Sequence, residues 1–423
     1  MLQMRSGIGE KADSELVRRQ NRRVVLDMLR HAGPLARVEL GQRTGLSPAT
    51  ITAISGQLIE QGLLEALEEP LETEQRQRRG RPMTRLHLAP QAAHVLAVKL
   101  SIDGVELVLA DFRGEILRRQ LLHISTYEAD PQLFGPAIAE EIAHFLGKAM
   151  LKRRSVVRIG VAIQGVANTQ AGTVVWSPAF RARNIPVAGP ISERLGIRCT
   201  VANDANMIAE ALAAQDLDAT GTTCVIFTGY GVGGALIING QVYHGGTGAA
   251  AEFGHMNHVP HGLLCRCGRR GCIEAYVADY GIARAAGLGQ SDEPLLSAIA
   301  DQDMAEIEER AAAGDQRALL AFASAGEALG FGIARIIAML SPARIVLSGP
   351  GTRAIALIEP AMRAAIIEGV VEELRRNVSI DVVPIATDMI VKGTIGMALR
   401  DLDQAISSSG PNEAFAPACQ TVA

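Results

Sequence analysis

The hydrophobic pattern of this 423-residue chain changes near residue 91, and the change limits the folds that it can adopt. Before that point, apolar residues recur at helical spacing. After it, short apolar runs such as "VVRIGVAIQG" and "RIVLSGP" alternate with helical segments as far as about residue 400. This alternation predicts an α/β body, and its length favours two lobes separated by a cleft.

The first 63 residues predict three helices. The first carries its apolar stripe in "SELVRRQNRRVVLDMLRHAG", and the second ends at Gly45. Ser47 is placed as the N-cap of the third helix, with Pro48 at its first position. The stripe of the first helix comprises Leu16, Val24, Val25, Met28 and Leu29. Two short helices joined by a tight glycine turn predict a helix-turn-helix, whose second helix enters the major groove of DNA.

The third helix presents a small, polar surface at its N-terminal end. Ile51, Ile54 and Leu58 form its inner stripe, which leaves the other positions facing outward or at the margin. Small side chains there would let the helix approach a duplex closely. The candidate DNA contacts on this helix are Ser47, Ala49, Thr50, Thr52 and Gln57.

An arginine-rich segment follows between two predicted strands, "GLLEALEEP" and "RRGRPMTRLHLAP". This arrangement is typical of the wing of a winged helix, and a basic wing can lie in the minor groove. Arg79 and Arg81 are the candidate contacts, and Arg76, Arg78 and Arg85 lie beside them. Residues 1–90 hold 14 basic against 11 acidic residues, whereas the remainder is acidic. The alternative to a DNA-binding winged helix is a three-helix module for protein interaction, followed by a solvated, charged linker.

The stretch "EFGHMNHVPHGLLCRCGRRGCIEAY", residues 252 to 276, predicts a metal site. Cys265, Cys267 and Cys272 supply three thiolates, and Gly268 and Gly271 permit the turn between them. Zinc prefers such ligands, and four protein ligands leave no position for a reactive water, so the metal would be structural. His255 is the first choice for the fourth ligand, although His258 or His261 would also serve on geometry.

The environment favours reduced thiols. The N-terminus lacks the apolar core of a signal peptide, and no apolar run reaches the ~18 residues of a membrane span, so we expect a cytoplasmic protein. Clustered cysteines then indicate a metal before a disulfide, the alternative being incidental thiols. Cys199, Cys224 and Cys419 are isolated, and the first two are expected to be buried small hydrophobes.

The spacing of Glu252, Gly254 and His255, then of the cysteines and Glu274, resembles the signature of the ROK family. The segments "SPAFRARNIPVAGPISERLG", "VANDAN" and "TGYGVGGALIINGQVYHGGTG" match it as well, and the winged-helix head with "GRP" resembles the repressor branch. The family groups bacterial sugar-responsive repressors with sugar kinases. The resemblance implies a two-lobed, actin-like (ribonuclease H-like) body that binds a sugar between its lobes.

Carried over by position, the resemblance implies five sugar-binding residues: Asn203, Asp204, Glu252, His255 and Glu274. His255 would have one ring nitrogen on zinc and the other facing a sugar hydroxyl. Carboxylates and an amide suit a ring of hydroxyls. For Asn203 and Asp204, the alternative is a turn after the strand "TVA". Arg181 and Arg183 either meet a phosphate or acidic sugar, or belong to a solvated loop.

Asp204 matches the general base of the family's kinases, so the choice between kinase and repressor depends on ATP. The first phosphate-binding turn of the kinases, Asp-x-Gly-Gly-Thr, falls here on Lys99-Leu100-Ser101-Ile102-Asp103, without either glycine. A second turn, with Gly229, Gly231 and Gly234, is intact but is a weak signal. We therefore expect no catalytic residue and no enzymatic activity, with Asp204 serving sugar binding. The alternative is an ATP-dependent sugar kinase with a DNA-binding arm.

The expected protein is thus a sugar-responsive repressor of carbohydrate genes with a structural Zn²⁺. Its partners would be operator DNA, a sugar or sugar phosphate, and a phosphotransfer-system protein. The chain would assemble as a homodimer or a homotetramer. We predict a DNA-binding domain over 1–90, a first lobe over 91–203 with 386–405, and a second lobe over 204–385. Residues 406–423 are predicted to be a disordered tail, because "ISSSGPNEAFAPACQTVA" offers no face that could pack on the body.

Overall fold

A computed structural model describes most of the chain. The described residues are 6–67, 84–102, 104–148, 155–215, 220–288, 299–383 and 388–417. The predicted wing arginines Arg76, Arg78, Arg79 and Arg81, as well as Asp103 and Cys419, lie outside these ranges.

The head is a winged helix-turn-helix, as predicted. Its elements are α1 (Ser6–Ala32), β1 (Leu35–Ala36), α2 (Arg37–Thr44), α3 (Pro48–Glu60), β2 (Leu64–Leu67) and β3 (Arg85–Leu88). The strands form an antiparallel sheet in the order β1-β3-β2. Ser47 caps α3, since its hydroxyl accepts a hydrogen bond from Thr50 N at 3.2 Å. Gly45, with φ of 70°, ends α2 in the left-handed conformation that glycine adopts without strain.

One member of the predicted stripe on α1 is not in the core. Leu16 is 63 % exposed, because the apolar cluster of the head is built from the C-terminal half of α1. There Val25, Leu26 and Leu29 pack with Ile51 and Leu58 of α3. The N-terminal half of α1 projects beyond this cluster.

The body contains two five-stranded sheets of the same topology. The first sheet comprises β4 (His94–Ser101), β5 (Gly104–Asp111), β6 (Ile116–Leu122), β7 (Val156–Ile163) and β11 (Arg198–Asn203). The second comprises β12 (Thr222–Thr228), β13 (Val232–Ile238), β14 (Gln241–Val242), β15 (Arg344–Ser348) and β16 (Ser379–Val382). Each has three antiparallel strands continued by two parallel ones, in the orders β6-β5-β4-β7-β11 and β14-β13-β12-β15-β16. This repeated arrangement is the predicted actin-like body.

Helices cover both faces of each sheet. In the first lobe α4 (Pro131–Lys148) and α5 (Ala188–Leu195) pack on one face, and a small sheet of β8 (Val166–Asn168), β9 (Thr173–Trp176) and β10 (Ile185–Pro186) lies beside them. The second lobe contains α6 (Asp204–Ala213), α7 (Glu274–Val277), α8 (Asp279–Ala286), α9 (Asp301–Ala312), α10 (Gln316–Leu340), α11 (Ile355–Gly369) and α12 (Glu372–Arg375). The central strands β4, β7, β12 and β15 are largely buried on both sides, which explains their apolar runs, whereas the edge strand β6 is partly exposed.

Helix α10 is long and apolar enough to cross a membrane by length and composition, with a mean hydropathy of 1.4 in its most apolar window. In this fold it is a core helix: Phe322, Leu329 and Ile333 are almost fully buried against α11 and the second sheet. Burial inside the second lobe accounts for its composition.

A C-terminal helix, α13 (Met389–Ser409), connects the two lobes. It packs on the first sheet through Ile395 and Leu399 and crosses α6 of the second lobe. At the crossing a β-carbon on Gly393 would lie 1.7 Å from the carbonyl oxygen of Met207, so only glycine lets the helices approach this closely. Arg400 of α13 also forms an ion pair with Glu210 of α6.

The head is docked on α13 and on the first sheet. Its core is continuous with that of the first lobe, where Phe112 and Leu402 join the residues of α1. Arg30 of α1 forms a bidentate ion pair with Asp403, at 2.8 Å to each carboxylate oxygen, and the two side chains are 9 % and 0 % exposed. Arg30 also donates to the carbonyl of Phe112 and lies over its ring.

The prediction of a disordered tail from residue 406 is wrong for residues 406–417. Helix α13 continues to Ser409, and α14 (Pro411–Ala414) follows it. Ile406 is fully buried, and the Ala414 carbonyl accepts a hydrogen bond from Arg158 at 3.0 Å. Tertiary contacts with the head and the first lobe order this segment, although its own sequence has little apolar periodicity.

Candidate functional site

A cleft between the two lobes contains all five residues that the resemblance implies. The first lobe and the start of α6 contribute Gln164, Gly165, Trp176, Pro178, Asn203 and Asp204. The second lobe contributes Phe227, Gly231, Val232, Gly233, Glu252, His255, Arg266 and Glu274. Its volume is about 30 Å³, enough for about two water molecules. A ring-sized ligand therefore requires the lobes to separate.

Asn203 and Asp204 sit where β11 ends and α6 begins. The Asn203 side-chain oxygen accepts hydrogen bonds from the amides of Ala205 and Asn206, at 2.7 and 3.3 Å, so Asn203 is the N-cap of α6. Its amide nitrogen donates to the Gly165 carbonyl at 2.5 Å. The turn predicted as the alternative is therefore present, and it places Asp204 in the cleft.

The environment of Asp204 favours its protonated form. Burial raises the pKa of its carboxyl to about 7, and Glu252 adds to the rise. The hydrogen bond from the Ala205 amide and the charge of Lys99 oppose it. A carboxyl that titrates near neutral pH can accept a proton from a ligand hydroxyl or donate one to it.

Glu252 is held by a strained and closely packed loop. The preceding residue, Ala251, has φ of 61°, a left-handed conformation that costs free energy for a residue with a side chain. A β-carbon on Gly254 would lie 2.0 Å from the Val232 carbonyl, and one on Gly234 would lie 2.6 Å from the Ala251 carbonyl. The second glycine-rich turn thus supports the loop. Burial raises the pKa of Glu252, while His255 opposes the shift.

Glu274 begins α7 and is 6 % exposed. One carboxylate oxygen accepts from the Val232 amide at 3.2 Å, and the other accepts from the Tyr280 hydroxyl at 3.3 Å. The Cys265 thiol lies 3.4 Å from that second oxygen. Glu274 therefore ties the cleft to the cysteine loop.

The structure brings His255, Cys265, Cys267 and Cys272 together, with their four ligand atoms within 4.8 Å of one another. Cys265 Sγ lies 3.8 Å from His255 Nδ1, and Cys267 Sγ lies 3.7 Å from Cys272 Sγ. Two thiolates at the vertices of a zinc tetrahedron are about 3.8 Å apart. The four side chains can therefore hold a metal ion. His258 packs on Tyr276 instead, and neither it nor His261 belongs to this cluster.

The electrostatics of the cluster also suit a cation. Hydrogen bonding from Cys265 lowers the pKa of the Cys267 thiol, while the contact with Cys267 raises that of Cys265. The thiolate form of Cys267 is stabilised, whereas a second thiolate on Cys265 is disfavoured by the negative charge beside it. A bound divalent ion would relieve this repulsion between thiolates. Cys199 and Cys224 are buried away from the cluster, as predicted, and burial raises the pKa of Cys224 to about 12.

We expect Cys265→Ser to lower the metal content of the purified protein from about one ion per chain to near zero. The loop would loosen, since its three remaining ligands bind metal much more weakly. Elemental analysis and hydrogen exchange over 252–274 measure both effects. Cys224→Ser is the control, because Cys224 is buried outside the cluster. Full metal content in Cys265→Ser would contradict this assignment.

The segment that lacks the glycines of the kinase phosphate-binding turn lies at the hairpin between β4 and β5. Ser101 pairs with Gly104, and its hydroxyl donates to the Gly104 carbonyl at 3.1 Å. Lys99 lies on β4 and acts on the pKa of Asp204. Residues with side chains therefore stand in this hairpin where the kinase pattern has glycines.

The candidate DNA contacts on α3 lie on its accessible side. Ala49, Thr52 and Gln57 are exposed, whereas Thr50 is half-buried. The Thr52 hydroxyl donates to the Pro48 carbonyl, and Gln57 accepts from Arg22 at 3.2 Å. Their role in DNA binding remains a prediction.

Several residues of the cleft were not nominated from the sequence. Gln164 and Gly165 follow β7, which runs parallel to β11, so they meet Asn203 at the same edge of the sheet. A polar residue after the buried run "VAIQG" is the signal that could have found them. Arg266, 9 % exposed, donates to the Tyr230 carbonyl at 2.7 Å and lies over the Tyr280 ring. No sequence signal marked Arg266.

Comparisons with known proteins agree on the body. A model of the ROK family matches residues 95–400. The chain is 26 % identical to the DNA-binding transcriptional dual regulator NagC of Escherichia coli (strain K12), over 88 % of this chain and 91 % of that protein. It is 24 % identical to the xylose repressor of Bacillus subtilis (strain 168), over 86 % of this chain and 90 % of that protein.

Solved structures show the same fold. A ROK family transcriptional regulator, a homolog of the E. coli Mlc protein, aligns with a TM-score of 0.73 and 24 % identity, over 94 % of this chain and 99 % of that one. A ROK family glucokinase from Streptomyces griseus, in complex with glucose and AMPPNP, aligns with a TM-score of 0.55 and 23 % identity, over 72 % of this chain and 99 % of that one. At 94 % of the chain, the regulator alignment must include residues of the head, whereas the kinase alignment covers 72 % of the chain.

Proposed function

This chain belongs to the ROK family, and from that premise we propose that it is a sugar-responsive DNA-binding repressor of carbohydrate uptake or catabolism genes. The observation that carries the proposal is a winged helix docked by a buried ion pair on α13, the helix that packs on the first sheet and crosses α6. The two relatives that align with 88 % and 86 % of this chain are named as a transcriptional regulator and a repressor. As a DNA-binding regulator, the protein would work in the cytoplasm.

In this proposal the sugar binds in the cleft through Asp204, Glu252, His255 and Glu274. Asp204 and Glu252 present carboxyl groups to ligand hydroxyls. Asn203 orients Asp204 as the cap of α6 and keeps one amide hydrogen for the ligand. These buried polar groups need partners, so ligands that supply matching hydroxyls are strongly selected.

The metal is Zn²⁺ in this proposal, held by His255, Cys265, Cys267 and Cys272. When bound, it would cross-link the loop and add no open coordination position. His255 uses Nδ1 on the cysteine side, which leaves Nε2 on the opposite edge of the ring for a sugar hydroxyl. Glu252 and Glu274 flank this loop, so the metal would position them indirectly.

The sugar signal would reach the head along two helices. Asn203 and Asp204 lie at the N-terminus of α6, which crosses α13 at Gly393. Helix α13 carries Asp403, the partner of Arg30 in the head. When the lobes move apart to admit a ring, we expect the angle between α6 and α13 to change, because α13 contacts both the first sheet and α6. A coupling of ~1–3 kcal/mol would alter operator affinity about 5- to 150-fold.

We propose that a homodimer or homotetramer binds a palindromic operator, since paired winged helices read two half-sites. Arg79 and Arg81 would reach the minor groove beside the helix contacts. A phosphotransfer-system protein is the further proposed partner, and it would act by docking on the body.

A gel-shift titration tests the regulator. The full-length protein is bound to DNA fragments from the neighbourhood of its own gene, and sugars and sugar phosphates are added one at a time. We expect at least one to weaken operator binding tenfold or more. Glu252→Ala should abolish this response and leave operator affinity within about twofold, because Glu252 lies in the cleft and contacts no head residue. Operator affinity that no sugar changes would defeat the proposal.

A second candidate function, an ATP-dependent sugar kinase, is favoured by one observation. Asp204 has a pKa of about 7, which suits a general base. The hairpin of Lys99, Ser101 and Ile102 argues against nucleotide binding, because side chains occupy the place of the glycines. Calorimetry with ATP, with and without sugars, separates the two: nucleotide binding followed by turnover would establish the kinase.

A further inference from the structure

A second cavity lies beside the sugar cleft, on the side of the cysteine loop. Its volume is about 240 Å³, about eight times that of the cleft. It shares Trp176, Glu252 and His255 with the cleft. We call this cavity the side chamber. The three shared residues place the two spaces next to each other.

The walls of the side chamber differ from those of the cleft. Val166, Val175 and Trp176 form an apolar wall from the small sheet of the first lobe. Arg183 and Arg269 lie at its rim and are exposed. Arg183 donates to the Cys267 carbonyl at 3.4 Å, which aligns its guanidinium along the opening. The chamber thus offers an aromatic face and hydrogen-bond donors.

We propose that the effector is a saccharide of at least two units, with one ring in the cleft and the next in the side chamber. The inference rests on the proposed sugar-binding function. The C–H face of a pyranose packs on an indole ring, and the valines continue that surface. Its hydroxyls accept from guanidinium groups, which are donors only. The chamber has the volume of one ring with its hydroxyls.

A phosphate or carboxylate fits the chamber less well. Arg183 and Arg269 attract anions at the rim, but the two valines offer no hydrogen-bond donors and the Glu252 carboxylate borders the chamber. A divalent ion held by three thiolates and His255 would give the cluster a net charge of about −1. Together with Glu252, a cluster of that charge would oppose an anion, whereas a neutral ring is unaffected.

The single tryptophan of the chain provides the measurement. Trp176 is the only tryptophan among the 423 residues, and it borders both spaces, so its fluorescence reports on either. The full-length protein is titrated with glucose against maltose and cellobiose, xylose against xylobiose, and N-acetylglucosamine against its β1,4-linked dimer. We expect one dimer to bind at least tenfold more tightly than its own monomer.

Two variants locate the second ring. Val175→Phe narrows the chamber and should remove the advantage of the dimer, while monomer affinity stays within twofold. Arg183→Ala should weaken dimer binding about fivefold. Arg181→Ala is its matched control, because Arg181 pairs with Glu128 and does not line the chamber. Thermal unfolding confirms that each variant is folded.

The outcomes separate the two proposals. Monomers that bind as tightly as every dimer, or a Val175→Phe variant that weakens both equally, would overturn the two-ring effector alone. Sugar phosphates that bind more tightly than all dimers and depend on Arg183 would replace it with an anion site. If no saccharide changes the fluorescence or the melting temperature, sugar binding itself is wrong.

Discussion

Replacing Asp204 with asparagine should abolish the sugar response and, at the same time, raise the free energy of unfolding at pH 8 by about 2 kcal/mol. The response is lost because the amide can no longer accept a proton or act as an anionic acceptor. The stability rises because a carboxylate buried beside Glu252 is removed. Function and stability thus oppose each other at this position, as is common in binding sites.

The pH dependence gives the sign of this effect. The folded pKa of Asp204, about 7, lies above the ordinary aspartate value of 3.8, so the folded protein binds the proton more tightly than the unfolded chain. The stabilisation from this proton is complete below pH 4 and is lost as the pH rises through 7. Asp204→Asn should therefore match the wild type near pH 4 and exceed it increasingly up to pH 8.

Chemical denaturation between pH 4 and 8 measures the difference. Asp315→Asn is the control of opposite sign, because hydrogen bonding from Arg310 lowers the pKa of Asp315. That variant should lose stability at neutral pH and approach the wild type in acid. A difference between Asp204→Asn and wild type that does not change with pH would show that the Asp204 carboxyl is not buried as described.

Replacing Arg30 with methionine should cost about 3 kcal/mol of stability and uncouple the head from the body. Asp403 would be left without its cation in a site where its side chain is 0 % exposed. In the wild-type protein, burial raises the pKa of Asp403 and the charge of Arg30 opposes that rise. We expect Arg30→Met to keep sugar binding within about twofold while its operator affinity no longer responds to sugar.

The double variant Arg30→Met/Asp403→Leu distinguishes the cost of an orphaned charge from the value of the contact. An apolar pair of similar size should restore most of the stability. Arg19→Met is the matched control: its partner Glu15 is on the same helix, and both side chains are about half exposed, so its loss should cost under about 1 kcal/mol. Gel shifts with sugar and urea denaturation give the two readouts. An Arg30→Met protein that responds normally to sugar would remove this ion pair from the signalling route.

The sequence allowed the fold class to be predicted because its signals are local. The run "VVRIGVAIQG" has the composition of a strand covered on both faces, and Ser47-Pro48 marks a helix start without reference to the rest of the molecule. The cysteine spacing restricts the metal ligands in the same way. Cys265, Cys267 and Cys272 lie within eight residues, so one turn brings them together.

What the sequence did not reveal depends on contacts between distant segments. Ile406 and Ala414 are buried by the head and the first lobe, so their segment looked unstructured by itself. Trp176 reaches the cleft from a small separate sheet, and no periodic pattern in the sequence predicts that it lines the cleft. The pairing of Arg30 with Asp403 joins residues 373 positions apart. Neither residue differs locally from an ordinary surface charge.

That separation along the chain has a consequence during synthesis. The head leaves the ribosome first, and α13, which completes the apolar cluster shared by the head and the first lobe, leaves almost last. A growing chain therefore holds an incomplete head core until Leu402 and Ile406 have been made. Nonsense mutations before α13 should accordingly destabilise the head together with the body.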